Sequence, residues 1–108
     1  MFISQEDDLI TLINIFETQP EQQQELIDRW LGFFEQVKEA PGLIGVALHR
    51  STDGTRVINY AQWRSKTDFD RFRKEHLRPM DEQGPAASAS RVDPHLYEVV
   101  YHYETAGS

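Results

Sequence analysis

Asn59 and Trp63 stand four residues apart in "NYAQWRS" (Asn59 to Ser65), and His49 closes "VALH" one turn upstream. A carboxamide, an indole and an imidazole form a chemically useful set. The amide and the imidazole can supply hydrogen bonds, and the indole adds a flat aromatic wall. The set works only if the three side chains share a face. That depends on how "LIGVALHRS" (Leu43 to Ser51) pairs with "RVINYAQWR" (Arg56 to Arg64) across "STDGT". A type I turn at Thr52-Asp53, with Gly54 left-handed, closes the hairpin by pairing Ser51 with Thr55. Paired residue numbers then sum to 106. His49 faces Val57, Ala47 faces Asn59, Gly45 faces Ala61, and Leu43 faces Trp63.

In that register one side of the hairpin carries small residues, Gly45, Ala47 and Ala61, framed by His49, Asn59 and Trp63. Small residues leave volume and the polar and aromatic ones give it chemistry, as in ligand pockets. The other side carries Ile44, Val46, Leu48, Ile58, Tyr60 and Gln62, a layer suited to packing. Two alternatives stay open. The small residues could instead receive bulky helix side chains such as Trp30 or Phe34. A loop one residue different in length moves the sum to 107 and puts His49 on the opposite side from Asn59.

The elements that hold this hairpin follow from pattern. "LITLINIF" (Leu9 to Phe16) reads as a buried strand, with Thr11 and Asn14 its polar members. A helix begins near Thr18 and Pro20 and ends at Pro41-Gly42; Leu26, Ile27, Trp30, Phe33, Phe34 and Val37 form its apolar stripe. Ser65, with Asp68 three residues on, caps a second helix whose buried face starts at Phe69 and Phe72. Gly84 to Arg91 is a loop, and "HLYEVVYHY" (His95 to Tyr103) is a last strand. The order β-α-β-β-α-β predicts an α+β, ferredoxin-like sandwich, two helices on one face of an antiparallel sheet. One domain is expected over residues 1–108, with its core at 9–103.

Composition narrows the partners. Eleven basic against 18 acidic residues give a net charge of −7, so no basic face for nucleic acid is present. There is no cysteine, which excludes disulfides and thiolate metal sites. No His/Asp/Glu cluster has metal-ligand spacing. The acidic N-terminus has no long apolar run and is expected to be neither a signal peptide nor a membrane span, and a cytoplasmic location is expected.

Three segments together, "LINIF", "APGLIGVALHRSTDGTRVINYAQWRS" and "FDRF", resemble the antibiotic biosynthesis monooxygenase family, across about Leu9 to Tyr103. The resemblance implies a homodimer, a dimeric α+β barrel in which Ile58 and Tyr60 are buried against the partner and one pocket per subunit lies under the helices. It also implies a monooxygenase that oxidises an aromatic, phenol- or anthrone-like small molecule with molecular oxygen, without metal, flavin or haem. Asn59 and Trp63 match the N-x-x-x-W spacing of quinone-forming members and carry over as catalytic residues, with His49 as proton-transfer candidate. The expected substrate-binding residues are Asn14, Trp30, Ala47, Ala61, Phe69 and Arg91. Phe69 stands where such members carry a tyrosine, and Arg91 or Arg78 where they carry an arginine before the last strand.

Two rival readings accompany this one. A haem-degrading branch of the same superfamily uses an asparagine, a tryptophan and an axial histidine, and Asn14, Trp63 and His76 resemble that trio, although His76 lies about one turn too far along the helix. The other rival is a barrel that only binds its small molecule. His95 and His102 are expected to be structural or exposed.

Overall fold

The computed structural model describes residues 9–77 and 84–106. The elements run β1 (Ile10–Glu17), α1 (Gln23–Val37), β2 (Leu43–Arg50), β3 (Arg56–Trp63), α2 (Lys66–Phe72), one wider π turn (Arg73–Leu77), a short 3-10 turn (Pro85–Ser88) and β4 (Arg91–Tyr97). The sheet has the order β2-β3-β1-β4, with every pair antiparallel. This is the ferredoxin-like sandwich that the pattern predicts. No helix among the described residues is long and apolar enough to cross a membrane.

Alternation decides which residues meet the helices. Leu12, Asn14 and Phe16 of β1 share one side with Val57, Asn59, Ala61 and Trp63 of β3, their direct or near partners in the register. Helix α1 lays Leu26, Ile27 and Trp30 on this side, against Phe16 and Val57, in one buried cluster. A second cluster joins Leu12, Ala61 and Trp63 to Val37, Phe69 and Phe72. Burying each of the large apolar side chains among them contributes roughly 1.5–3 kcal/mol.

The hairpin register differs from the expected one. Ala47 pairs with Tyr60, Leu48 with Asn59, His49 with Ile58 and Arg50 with Val57, all summing to 107; only Leu43 opposite Trp63 keeps the other sum, across an irregularity between Leu43 and Gly45. Side chains of the loop explain the slip. The turn at Thr52-Asp53 forms as expected, with Gly54 at φ 82° and its N–H donating to the Ser51 carbonyl at 3.2 Å. The Ser51 hydroxyl, rather than the carbonyl, then receives the Thr55 N–H at 3.1 Å and the Arg56 N–H at 2.8 Å. The Asp53 carboxylate takes the Thr55 N–H and hydroxyl at 3.0 and 2.7 Å. Thr55 is therefore held in the loop, and Arg56 becomes the residue opposite Ser51, receiving its N–H at 3.0 Å. Buried Gln23 reads this closing pair from α1, donating from Nε2 to the carbonyls of Ser51 (3.1 Å) and Arg56 (3.0 Å).

Other boundaries also move. Helix α1 starts at Gln23, after a turn over Pro20 to Gln22. Ser65 caps α2 as expected, accepting from the Asp68 N–H at 3.1 Å. The last strand begins at Arg91, four residues early, and ends at Tyr97. Pro94 is tolerated within it because β4 is an edge strand bonded only to β1. Residues 98–106 form no strand here, and Val100, Tyr101 and Tyr103 are largely exposed.

The loop clamp is testable through Asp53. Hydrogen bonds from the Thr55 hydroxyl and N–H, then from the Ser51 hydroxyl, lower its carboxyl to about 2. A carboxylate depressed in the folded state stabilises it fully above its unfolded value near 3.9 and loses that effect as pH falls through the folded value. Asp53→Ala is therefore expected to melt below wild type at pH 7, with the gap narrowing between pH 4 and 2, measured by circular dichroism. Ser51→Ala should cost about 1–2 kcal/mol by urea titration.

Candidate active site

Between the two core clusters the sheet and helices leave a cavity of about 220 Å³. Its floor is β1 and β3, contributing Asn14, Phe16, Asn59, Ala61 and Trp63; β2 adds Leu43 and Val46, and β4 adds Val92 and Pro94. Its roof is α1, with Trp30, Phe33, Phe34 and Val37, and Phe72 of α2. Gly84, Pro85 and Ala86 complete one side. The roof and walls are aromatic and mutually braced. Trp30 stacks on Phe34 at 5.1 Å, Trp63 lies 4.8 Å from Phe72, and Phe33 meets Phe72 edge-on at 6.2 Å.

The 3-10 turn is pinned by its neighbours rather than left as an open loop. The Thr18 hydroxyl donates to the Ser88 carbonyl at 2.7 Å, and the Ser90 N–H and hydroxyl donate to the Glu17 carbonyl at 2.7 and 3.1 Å. These bonds tie the segment to the end of β1 and set the cavity's width on that side.

Three polar groups interrupt the apolar lining, and each is incomplete. Asn14 Oδ1, Asn59 Oδ1 and Trp63 Nε1 are buried without a hydrogen-bond partner among the described residues. Leaving such a group unmade costs about 1–3 kcal/mol, so a site that keeps three of them is built for a partner that brings its own polar atoms. None of the described residues lining the cavity is ionisable. Apolar, aromatic surroundings strengthen every hydrogen bond made there.

The structure thus brings Asn59, Trp63, Ala61, Asn14 and Trp30 around one cavity. It does not bring His49 or Ala47. The one-residue slip of register turns both to the helix-free side of the sheet, where His49 is exposed beside Ile58. His49 is therefore corrected from proton-transfer candidate to surface residue, and Ala47 from pocket floor to the opposite face. Phe69 is buried but stands behind the wall, edge-on to Trp63 at 5.7 Å, and does not line the cavity. Arg91 is also displaced: it sits exposed on β4, paired with Glu17 at 3.5 Å. Arg78 lies outside the described residues. Sequence reasoning missed Phe16, Phe33 and Phe72 as lining residues. The alternation that puts Asn14 inward also puts Phe16 inward, so that signal was present.

The haem arrangement fits poorly. His76 packs on Phe72 at 5.1 Å and lies 3.7 Å from Glu75, and it does not line the cavity, so no axial imidazole faces the space beside Asn14 and Trp63. Among the described residues no group of three or more His, Asp or Glu could hold a metal ion. His95 pairs with Asp93 at 2.8 Å on the exposed edge, and His102 is half-buried in the C-terminal segment.

Fold and site together define a small α+β sandwich with an aromatic, uncharged small-molecule cavity between sheet and helices. The chain belongs to the antibiotic biosynthesis monooxygenase family, whose profile matches residues 9–78. It is 38% identical over 103 residues to tetracenomycin-F1 monooxygenase of Streptomyces glaucescens, covering 94% of this chain and 90% of that protein. Among solved structures it is similar to a Streptomyces coelicolor monooxygenase in complex with nanaomycin D (TM-score 0.75, 21% identity, 92% and 93% of the two chains). It is also similar to a Mycobacterium tuberculosis protein (TM-score 0.73, 17% identity, 89% and 99%).

Unpartnered buried polar atoms predict a trade between stability and activity. Asn59→Leu, which keeps the branching at Cγ, carries no polar atoms and can expand into the open cavity, is expected to raise the ligand-free protein's unfolding free energy by about 1 kcal/mol in urea, while weakening ligand binding.

Proposed function

We propose that the chain is a cofactor-independent monooxygenase that oxidises a flat, acidic phenol- or anthrone-like molecule to a quinone with molecular oxygen. The observation that carries this reading is the cavity itself. Its walls are aromatic, its polar groups are two amides and one indole N–H, and no described lining residue can hold a metal or take a proton. The 38% identity to tetracenomycin-F1 monooxygenase supports the same reading.

The chemistry balances without a reductant. A ring CH2 loses one proton, taken up by solvent water as the ring enters the cavity, to give an anion that the ring system delocalises. The anion passes one electron to oxygen, and the resulting radical and superoxide join through a new C–O bond. Protonation gives a hydroperoxide. Loss of the second C–H proton then breaks the O–O bond, leaving C=O on the ring and one water. The substrate supplies all four electrons that oxygen accepts. What the protein must do is bind the flat ring, favour its anion and exclude water. Trp63 and Phe72 offer one aromatic wall and Trp30 and Phe34 another. Asn59 can donate to the ring oxygen on which negative charge collects, and the Trp63 N–H can reach the developing peroxide. The substrate's own acidity releases the first proton, since His49 faces away.

We also infer a homodimer. The helix-free side of the sheet presents Ile13, Ile15, Ile58 and Tyr60, all only half-buried, and the C-terminal segment exposes Val100 (88%), Tyr101 (75%) and Tyr103 (72%). An apolar surface of this extent fits a second copy. Val100→Asp with Tyr101→Asp is expected to halve the mass measured by light scattering after gel filtration; an unchanged mass would reject the segment's role in dimerisation.

The activity is tested by oxygen uptake with dithranol and metal-stripped protein. Wild type should exceed the uncatalysed rate, and Asn59→Ala and Trp63→Ala should lose most of that excess while remaining folded. His49→Ala should stay far above the ~10²-fold loss that removing a general base causes. Uptake that requires added haem, or a His49→Ala variant as inactive as Asn59→Ala, would contradict the proposal.

A further inference from the structure

Asn14 stands directly opposite Asn59 in the β1–β3 register, and both line the cavity. Direct partners on antiparallel strands have Cβ atoms about 4.5–5.5 Å apart, close enough for two carboxamides to reach one oxygen atom. Both are half-buried, and in both the carbonyl oxygen is buried without a partner among the described residues. The row across the sheet continues as Leu48 on one side and Pro94 on the other, so no neighbouring strand residue competes for the amides. Nothing in packing explains two adjacent unsatisfied amides on the helix-facing side of a small core, where the surrounding positions are Leu12, Phe16, Val57 and Ala61.

We propose that Asn14 and Asn59 form a paired-amide cradle that holds a single substrate oxygen, making Asn14 a second substrate-contacting residue of the site. A carboxamide presents an N–H or a C=O according to a half-turn about its last torsion. The pair can therefore accept from a neutral hydroxyl and donate two N–H bonds to the same oxygen once it is ionised. Two uncharged donors favour the anion without a basic side chain. None of the described charged groups on the packed elements lines the cavity: on α1 Glu25 pairs with Arg29 at 3.4 Å and Asp28 and Glu35 are exposed, on α2 Asp70 pairs with Lys66 at 2.9 Å, Asp68 sits at the Ser65 cap and Arg71 is exposed, and at the sheet edge Glu17 pairs with Arg91 and Asp93 with His95. This inference rests on the aromatic-substrate reading above and adds that the two amides act on one atom.

The probe is 1,8-dihydroxyanthraquinone, which is already oxidised and changes colour when its hydroxyl ionises. Its titration is followed in the visible spectrum, free and bound to wild type, Asn14→Leu, Asn59→Leu and the double variant. The bound hydroxyl should ionise at lower pH than the free one. Each single variant should move it back by about one pH unit, a tenfold loss of anion preference. The double variant should depart from the sum of the two shifts, because groups that serve one oxygen couple. A merely structural Asn14 would leave the bound titration at its wild-type value, which would overturn the inference while leaving the oxygenase reading intact. Fully additive shifts would reject the shared oxygen. Failure of wild type to bind the probe would overturn the cradle, and oxygen uptake with dithranol, measured separately, decides whether the oxygenase reading falls with it.

Discussion

The closing pair of the hairpin, Ser51 opposite Arg56, is the constraint on which the site depends. Its backbone bond is reinforced by the Ser51 hydroxyl, by the Asp53 carboxylate and by the Gln23 amide reaching in from α1. These contacts do more than stabilise a loop. Because side chains alternate along a strand, they decide which half of β2 faces the helices. In the observed register Val46 and Leu48 join Asn59, Ala61 and Trp63 beneath α1 and α2, and His49 is turned out. Gln23 couples the register to helix placement, so roof and floor of the cavity are set by the same few bonds.

The core is consequently divided. One cluster gathers at the Trp63 end and another at the Trp30 end, with Phe34 and Val46 packed against both. The cavity occupies the gap between them and borrows its walls from each. A chain of 108 residues has little apolar area to spare, so leaving this space open, with three buried polar atoms unpartnered among the described residues, weakens the free protein. A flat aromatic ligand would join the clusters and complete the hydrogen bonds. Unfilled, the site is a gap in the core; filled, it would be continuous with it.

Much of this was legible in the sequence, and the failures have physical causes. Helical periodicity located Trp30, Phe33, Phe34 and Val37, and strand alternation brought Asn59, Ala61 and Trp63 to one side. The N-x-x-x-W spacing survives any register, since residues four apart on a strand always share a face. The role given to His49 did not survive, because it depended on a loop length that side-chain bonds of Ser51 and Asp53 decide. Turn geometry was read correctly at Gly54, yet the hydroxyl that holds Thr55 out of the ladder has no signature beyond "STDGT" itself. The early start of β4 was hidden by Pro94, and the exposed position of Arg91 follows from that shifted strand. Asn14 is among the substrate-binding residues expected from the sequence, but its pairing with Asn59 is a long-range fact that only the sheet reveals.

The most direct test of the account is a crystal structure of the protein with 1,8-dihydroxyanthraquinone bound. The account predicts the rings beneath α1, between Trp63 and Phe72 on one side and Trp30 and Phe34 on the other, with a ligand oxygen at hydrogen-bond distance from Asn59 and His49 opposite Ile58 on the far face of the sheet. A ligand seated on the face that carries His49, or a hairpin in which His49 pairs with Val57, would contradict it.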